Sequence, residues 1–161
     1  MDFKMHLQCL GTCCSGDKLW FPNMTFNGLF SINLKNFELE YHGQIPFLDN
    51  FAVLSYAHSN FFFENKLFFC PNNCKDILIY DIENKTYNKI NILSKDNYLT
   101  ARTIQRGKKV WIYPQNLKHG IFFLNLDDLS IEESIEFNQL LAGIQDIPWI
   151  VELNEFEIAI L

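Results

Sequence analysis

Positive charge is in short supply in this chain of 161 residues: 13 Lys and Arg stand against 19 Asp and Glu, for a net charge of −6. Binding a phosphate backbone needs a basic stripe, so nucleic acid is not an expected partner. The one bunch of basic residues, Arg106-Gly107-Lys108-Lys109, reads as a solvated hairpin turn. Long apolar runs are missing as well. Nothing approaches the roughly 20 residues of a membrane-spanning helix, so no membrane partner is expected. The first ten residues, from Met1 to Leu10, hold no apolar stretch long enough for a signal peptide, which predicts a cytoplasmic chain. With seven glycines the sequence has no Gly-rich phosphate loop, and it has neither a nucleophile elbow nor a redox Cys-x-x-Cys.

Cysteine is modest and odd in number: Cys9, Cys13, Cys14, Cys70 and Cys74. Reduced thiols are expected rather than a disulfide framework. The spacings Cys9-x3-Cys13-Cys14 and Cys70-x3-Cys74 lie within reach of a thiolate zinc site. However, Cys70 takes the strand position that Tyr113 takes in a later repeat, which makes it a small buried hydrophobe. The four histidines (His6, His42, His58, His119) show no metal-ligand spacing. No metal and no cofactor are expected.

What the chain does have is a repeat, rich in aromatic residues. Leu19-Trp20-Phe21-Pro22 returns as Leu67-Phe68-Phe69-Cys70-Pro71 and as Val110-Trp111-Ile112-Tyr113-Pro114. A second phrase follows each copy, beginning at Gly28, Asp76 and Gly120. The steps are 48 and 43 residues for the first phrase, and 48 and 44 for the second. A period of roughly 40–50 residues built of short strands predicts an all-β fold, a partial β-propeller of four-stranded antiparallel meander blades. The middle copy reads most clearly. Phe61 to Phe63, Leu67 to Phe69, Ile77 to Ile82 and Tyr87 to Ile92 are strands, with Pro71 to Lys75 as a loop between the second and third. The inner strands are apolar on both faces, as they must be when neighbouring blades cover both sides.

The expected layout is a single domain over 1–161. Blade 1 spans about 9–46, blade 2 about 57–93, blade 3 about 100–137, and the first hairpin of blade 4 about 148–161. In the third copy the outer strand is expected over Ile131 to Glu136. A linker follows over Asn138 to Asp146, with one turn of helix at Leu140-Leu141-Ala142; a short helix over Ser134 to Ala142 is the alternative, set against the lack elsewhere of apolar residues at three-and-four spacing over three turns. Closed propellers use four to eight blades. The expectation is therefore a piece of a propeller about twice as long, the alternative being two copies that complete one ring as a homodimer.

The phrase Asp76-Ile77-Leu78-Ile79-Tyr80-Asp81-Ile82-Glu83-Asn84-Lys85-Thr86 resembles a strand and turn of bacterial Kelch-like propellers, in which an Asp ends the third strand. Asn33 and Asn125 hold the equivalent place in the other copies. The double glycine of Kelch repeats, the Trp-Asp of WD repeats and the aspartate box of sialidases are absent.

Candidate site residues come from the loops at one mouth of the funnel. Asn23, Asn72, Asn73, Gln115, Asn116 and His119 would form a ring of amide and imidazole groups suited to a polyhydroxylated ligand. The competing reading is that Pro and Asn recur there because the turn demands them. His58 and Arg102 fall near the starts of innermost strands, where Arg102 could clamp a carboxylate or phosphate, or pair with a neighbouring acid. The acids Glu83, Asp127, Asp128, Glu132 and Glu133 belong to outer strands or opposite turns, so no catalytic carboxylate pair is expected. The functional expectation is a non-catalytic scaffold or fragment presenting a face to a protein or glycan partner. The alternative is part of a sugar-processing (glycosidase-like or lyase-like) propeller enzyme completed by further blades or a second chain.

Overall fold

The structure, a computed structural model, describes residues 9, 11–23, 27–46, 59–92, 99–114, 120–142, 150–154 and 157–160. These form antiparallel sheets that follow the repeat. The first sheet is a meander of β1 (Cys13–Ser15), β2 (Lys18–Asn23), β3 (Gly28–Asn33) and β4 (Leu39–Tyr41). The second runs through β5 (Asn60–Phe63), β6 (Lys66–Phe69), β8 (Asp76–Asp81) and β9 (Thr86–Asn91). The third joins β10 (Leu99–Arg106), β11 (Lys109–Pro114), β12 (Phe122–Asn125) and β13 (Ile131–Glu133), and β14 (Ile150–Asn154) pairs with β15 (Glu157–Ile160) as a separate hairpin. The fold is all-β in the manner of a partial β-propeller.

Alternation within each inner strand decides which neighbour it meets. Along β6 and β8, Leu67, Phe69, Leu78 and Tyr80 pack against Cys13, Trp20, Leu29 and Ile45 of the first sheet and its exit. The intervening Phe68, Cys70, Ile77 and Ile79 pack instead with Ala101, Val110, Ile112, Phe122 and Leu124 of the third. Side chains two apart share a face of a strand, so one apolar run serves two interfaces. Leu67, Ile77, Leu78, Ile112 and Leu124 are fully buried, and each such side chain contributes about 1.5–3 kcal/mol by leaving water.

Local chemistry ends the strands where the repeat places it. The carbonyl of the Asn33 side chain accepts from the Lys35 N–H, Asp81 accepts from the Asn84 N–H, and Asn125 accepts from the Asp127 N–H. These are turns in which a short side chain replaces a backbone acceptor. The N–H bonds from Asn84 hold the Asp81 carboxyl below its ordinary pKa.

Two elements differ from the expectation. The stretch Pro71 to Lys75 is not simply a loop, since Asn72–Cys74 forms β7 and pairs with β10, making the third sheet five-stranded. The outer strand of the third copy stops at Glu133, and α1 (Ile135–Ala142) replaces the expected strand end and linker. The Ser134 carbonyl accepts the first helical bond from the Asn138 N–H, and Glu136 lies in the positively polarised first turn. The Asn138 carboxamide then accepts from the Ile121 N–H at 2.8 Å and donates to Glu133 at 2.9 Å. Gly120 is required beside it: its φ is +81°, and a Cβ there would stand 2.8 Å from Asn138 Nδ2.

Candidate functional site

The ends of β2, β6 and β11 are equivalent points of the repeat, and the sequence places the mouth at the connections that follow them. Asn23 closes β2, paired with Gly28 of β3, and is only 1% exposed. Asn27, in the turn between them, donates from Nδ2 to the Ile45 carbonyl, which ties the mouth of the first sheet to its exit segment. Asn72 stands in β7 opposite Thr100, half-buried, and the Ala101 N–H donates to the Pro71 carbonyl at 3.0 Å. Arg102 follows in β10 opposite Tyr113 and is exposed. The β7–β10 ladder thus carries Asn72 and Arg102 to adjoining positions of one sheet, and Asn23 marks the corresponding end of another. Asn73 lies in β7, but its side chain is outside the described residues, as are His58, Gln115, Asn116 and His119 entirely.

A line of polar side chains joins the inner strands. Asn60 Nδ2 donates to the Gly11 carbonyl at 3.0 Å, from the second sheet to the segment entering the first. Ser59 and Thr103 bring their hydroxyl oxygens to 2.9 Å across the second and third sheets. These groups went unnoticed in the sequence, where Ser59-Asn60 is an unremarkable polar pair ahead of three phenylalanines.

A second polar cluster sits inside the first sheet. Ser31 Oγ and His42 Nε2 are 2.8 Å apart, Glu40 Oε2 is 3.7 Å from the same nitrogen, and the imidazole lies over Trp20 with ring centroids 4.4 Å apart. Burial lowers the His42 pKa, while Glu40 pulls the other way. Although Ser, His and an acid meet here, a nucleophile relay needs them on opposite ring nitrogens. Both reach Nε2, and Ser31 is 1% exposed. The cluster is a packing device, with Lys18 bound to Glu40 at 2.6 Å as its outer end.

All five cysteines are free. Burial pushes the thiols of Cys13 and Cys70 up to about 12, which keeps them protonated and unreactive. Cys70 is fully buried between the second and third sheets. Among the described residues no group of three or more His, Cys, Asp or Glu side chains is arranged to hold a metal ion.

No family model matches the chain. No curated protein matches it in sequence. Solved structures do match in fold. The extracellular domain of BT4673 from B. thetaiotaomicron aligns with a TM-score of 0.56 at 18% identity, over 83% of this chain and 17% of that one. Hydrazine synthase from Kuenenia stuttgartiensis aligns with a TM-score of 0.56 at 12% identity, over 83% of this chain and 37% of that one. The chain therefore spans well under half the length of these propeller-like structures. At such identities the likeness is one of fold alone: it shows a propeller-like fold and leaves the Kelch-like type unconfirmed. The neighbours differ among themselves in function, as propeller-like domains do.

Proposed function

We propose that this chain is a non-catalytic propeller scaffold whose mouth binds a glycan. The observation that carries the reading is the β7–β10 ladder. It pairs Asn72 with Thr100, two residues before Arg102 on the same strand, so the two residues stand at neighbouring backbone positions, and Asn23 ends β2 at the equivalent point of the repeat. Amides offer both donors and acceptors to sugar hydroxyls, and a guanidinium adds a bidentate clamp for an acidic sugar. Rigidity favours binding too, because strands held by interfaces on both faces lose little freedom when a ligand arrives.

The test is a panel of neutral and uronic-acid oligosaccharides titrated calorimetrically against the intact chain. Arg102→Ala should weaken the bound sugar about tenfold, the worth of one charged hydrogen bond of roughly 1.5 kcal/mol. Lys89→Ala, on the outer strand of the second sheet, should change nothing. Failure of every sugar to bind, or equal binding by R102A, overturns the proposal. Release of new reducing ends would replace it with the sugar-processing enzyme reading.

A further inference from the structure

Ser31 and His42 put a polar pair where the repeat elsewhere builds with isoleucine. Adding 48 residues to Leu29, Ser31, Glu40 and His42 gives Ile77, Ile79, Asn88 and Ile90. The strand pairing agrees, since Ser31 stands opposite Glu40 as Ile79 stands opposite Asn88. In the second sheet Ile79 and Ile90 pack into the apolar interface with the third. Packing alone therefore asks for neither the hydroxyl nor the imidazole, and burying polar groups carries a cost that two isoleucines escape.

The surroundings of the ring suit it while it is neutral. A neutral imidazole has its bond with Ser31 Oγ at 2.8 Å and its stack on Trp20. An imidazolium would turn to Glu40, whose Oε2 lies 3.7 Å from Nε2. That same oxygen is already held by Lys18 at 2.6 Å. Lys18 of β2 and Lys85 of the β8–β9 turn both oppose a further positive charge. Tyr80 and Tyr87, packed beyond Trp20 from the second sheet, have phenols that burial keeps neutral, so they offer no counter-charge. With the side chain only 8% exposed, water does not make up the difference.

His42 also anchors a short segment that reaches the mouth. Its N–H donates to the Leu29 carbonyl at 2.8 Å, and the Leu29 N–H donates to the Gly43 carbonyl at 3.0 Å. Two residues on, the buried Ile45 lends its carbonyl to Asn27 Nδ2 in the β2–β3 connection. The imidazole thus secures one end of the segment, and the other end ties down that connection. We infer that protonation of His42 frees the segment from His42 to Ile45 and with it the tie on the β2–β3 connection, so that acid loosens this part of the mouth. This goes beyond glycan binding and stands whether or not the mouth takes a sugar.

The test is amide hydrogen exchange on the intact chain at neutral and at mildly acidic pH, each rate divided by its intrinsic value. The Leu29 and His42 amides should lose protection by up to about tenfold per pH unit below roughly 6.5, the ordinary histidine value. The Cys70 amide, bonded to the Ser59 carbonyl at 2.9 Å, should keep its protection. His42→Gln, which stays neutral and still offers Ser31 an amide, should flatten the dependence at Leu29. The double variant Ser31→Ile with His42→Ile, which copies the pair of the second sheet, should do the same. Unchanged protection of Leu29 in acid, or an equal loss in H42Q, overturns the inference. A parallel loss at Cys70 overturns it too, since the whole chain would then be opening.

Discussion

His42 is poised so that its neutral form is the one the fold accommodates. Its ring is pressed on Trp20, its side chain is 8% exposed, and burial holds its pKa below the ordinary 6.5 against the pull of Glu40, with Lys18 and Lys85 also in range. The unfolded chain takes up a proton near pH 6.5 that the folded chain resists. The contribution to stability is therefore complete above that pH, and it is lost as the pH falls from about 6.5 through the lower folded value. Thermal melts of the wild type and His42→Gln should diverge in slope between pH 7 and pH 5. The wild type should lose more of its melting temperature on acidification, and parallel curves would refute the assignment. The residue scale is also where sequence reading had least to offer. Nothing in the spacing of Ser31, Glu40 and His42 announces that they meet, because β3 and β4 bring them together only through their pairing register. The amide at Asn23 could be placed at a turn from its neighbour Pro22, but its burial depends on what surrounds it in three dimensions.

Among the elements, the hairpin turns differ in how comfortably they are made. The turns of the first and third sheets put Gly16 and Gly107 in the left-handed region, where glycine is at ease. The turn between β5 and β6 asks the same of Glu64 (φ 43°) and Asn65 (φ 63°), two consecutive left-handed residues. Such a turn favours Asn-Gly, and a glutamate there costs on the order of 1 kcal/mol. Replacing the pair by Glu64→Asn with Asn65→Gly should raise the urea midpoint by the equivalent of about 1 kcal/mol with an unchanged slope. A lowered midpoint would show that Glu64 makes a compensating contact. Most elements could be read from the chain because two physical demands coincide in it. Inner strands covered on both sides must be apolar throughout, and each third strand must end in an Asx turn, as Asn33, Asp81 and Asn125 do. The two misread elements obey neither demand. β7 is three residues of Asn-Asn-Cys whose strand character comes only from pairing with β10. In α1, Phe137, Leu140 and Leu141 do fall at three-and-four spacing, but over barely two turns, too short a run to announce a helix, and the Asn138 bonds to Ile121 and Glu133 help to fix it.

At the scale of the whole molecule, the sheets are held by apolar interfaces and pinned near their inner edges by single polar contacts. Hydroxyl pairing between Ser59 and Thr103 is one of these, reinforced by the Thr103 N–H donating to Ser59 Oγ at 3.3 Å. A double-mutant cycle with Ser59→Ala and Thr103→Ala should return a coupling of about 1 kcal/mol in unfolding free energy, the usual net worth of a partly buried hydrogen bond. Additive losses would mean that the apolar faces alone align the second and third sheets.

The strand β7 has one more effect. Extended peptides join proteins by zipping onto a free strand edge. In the third sheet, the edge of β10 at Leu99 and Thr100 is already taken by a segment borrowed from the preceding repeat. An invading chain cannot reach β10 there and meets instead β7, the outermost strand of the sheet, whose three residues offer only a short edge to pair with.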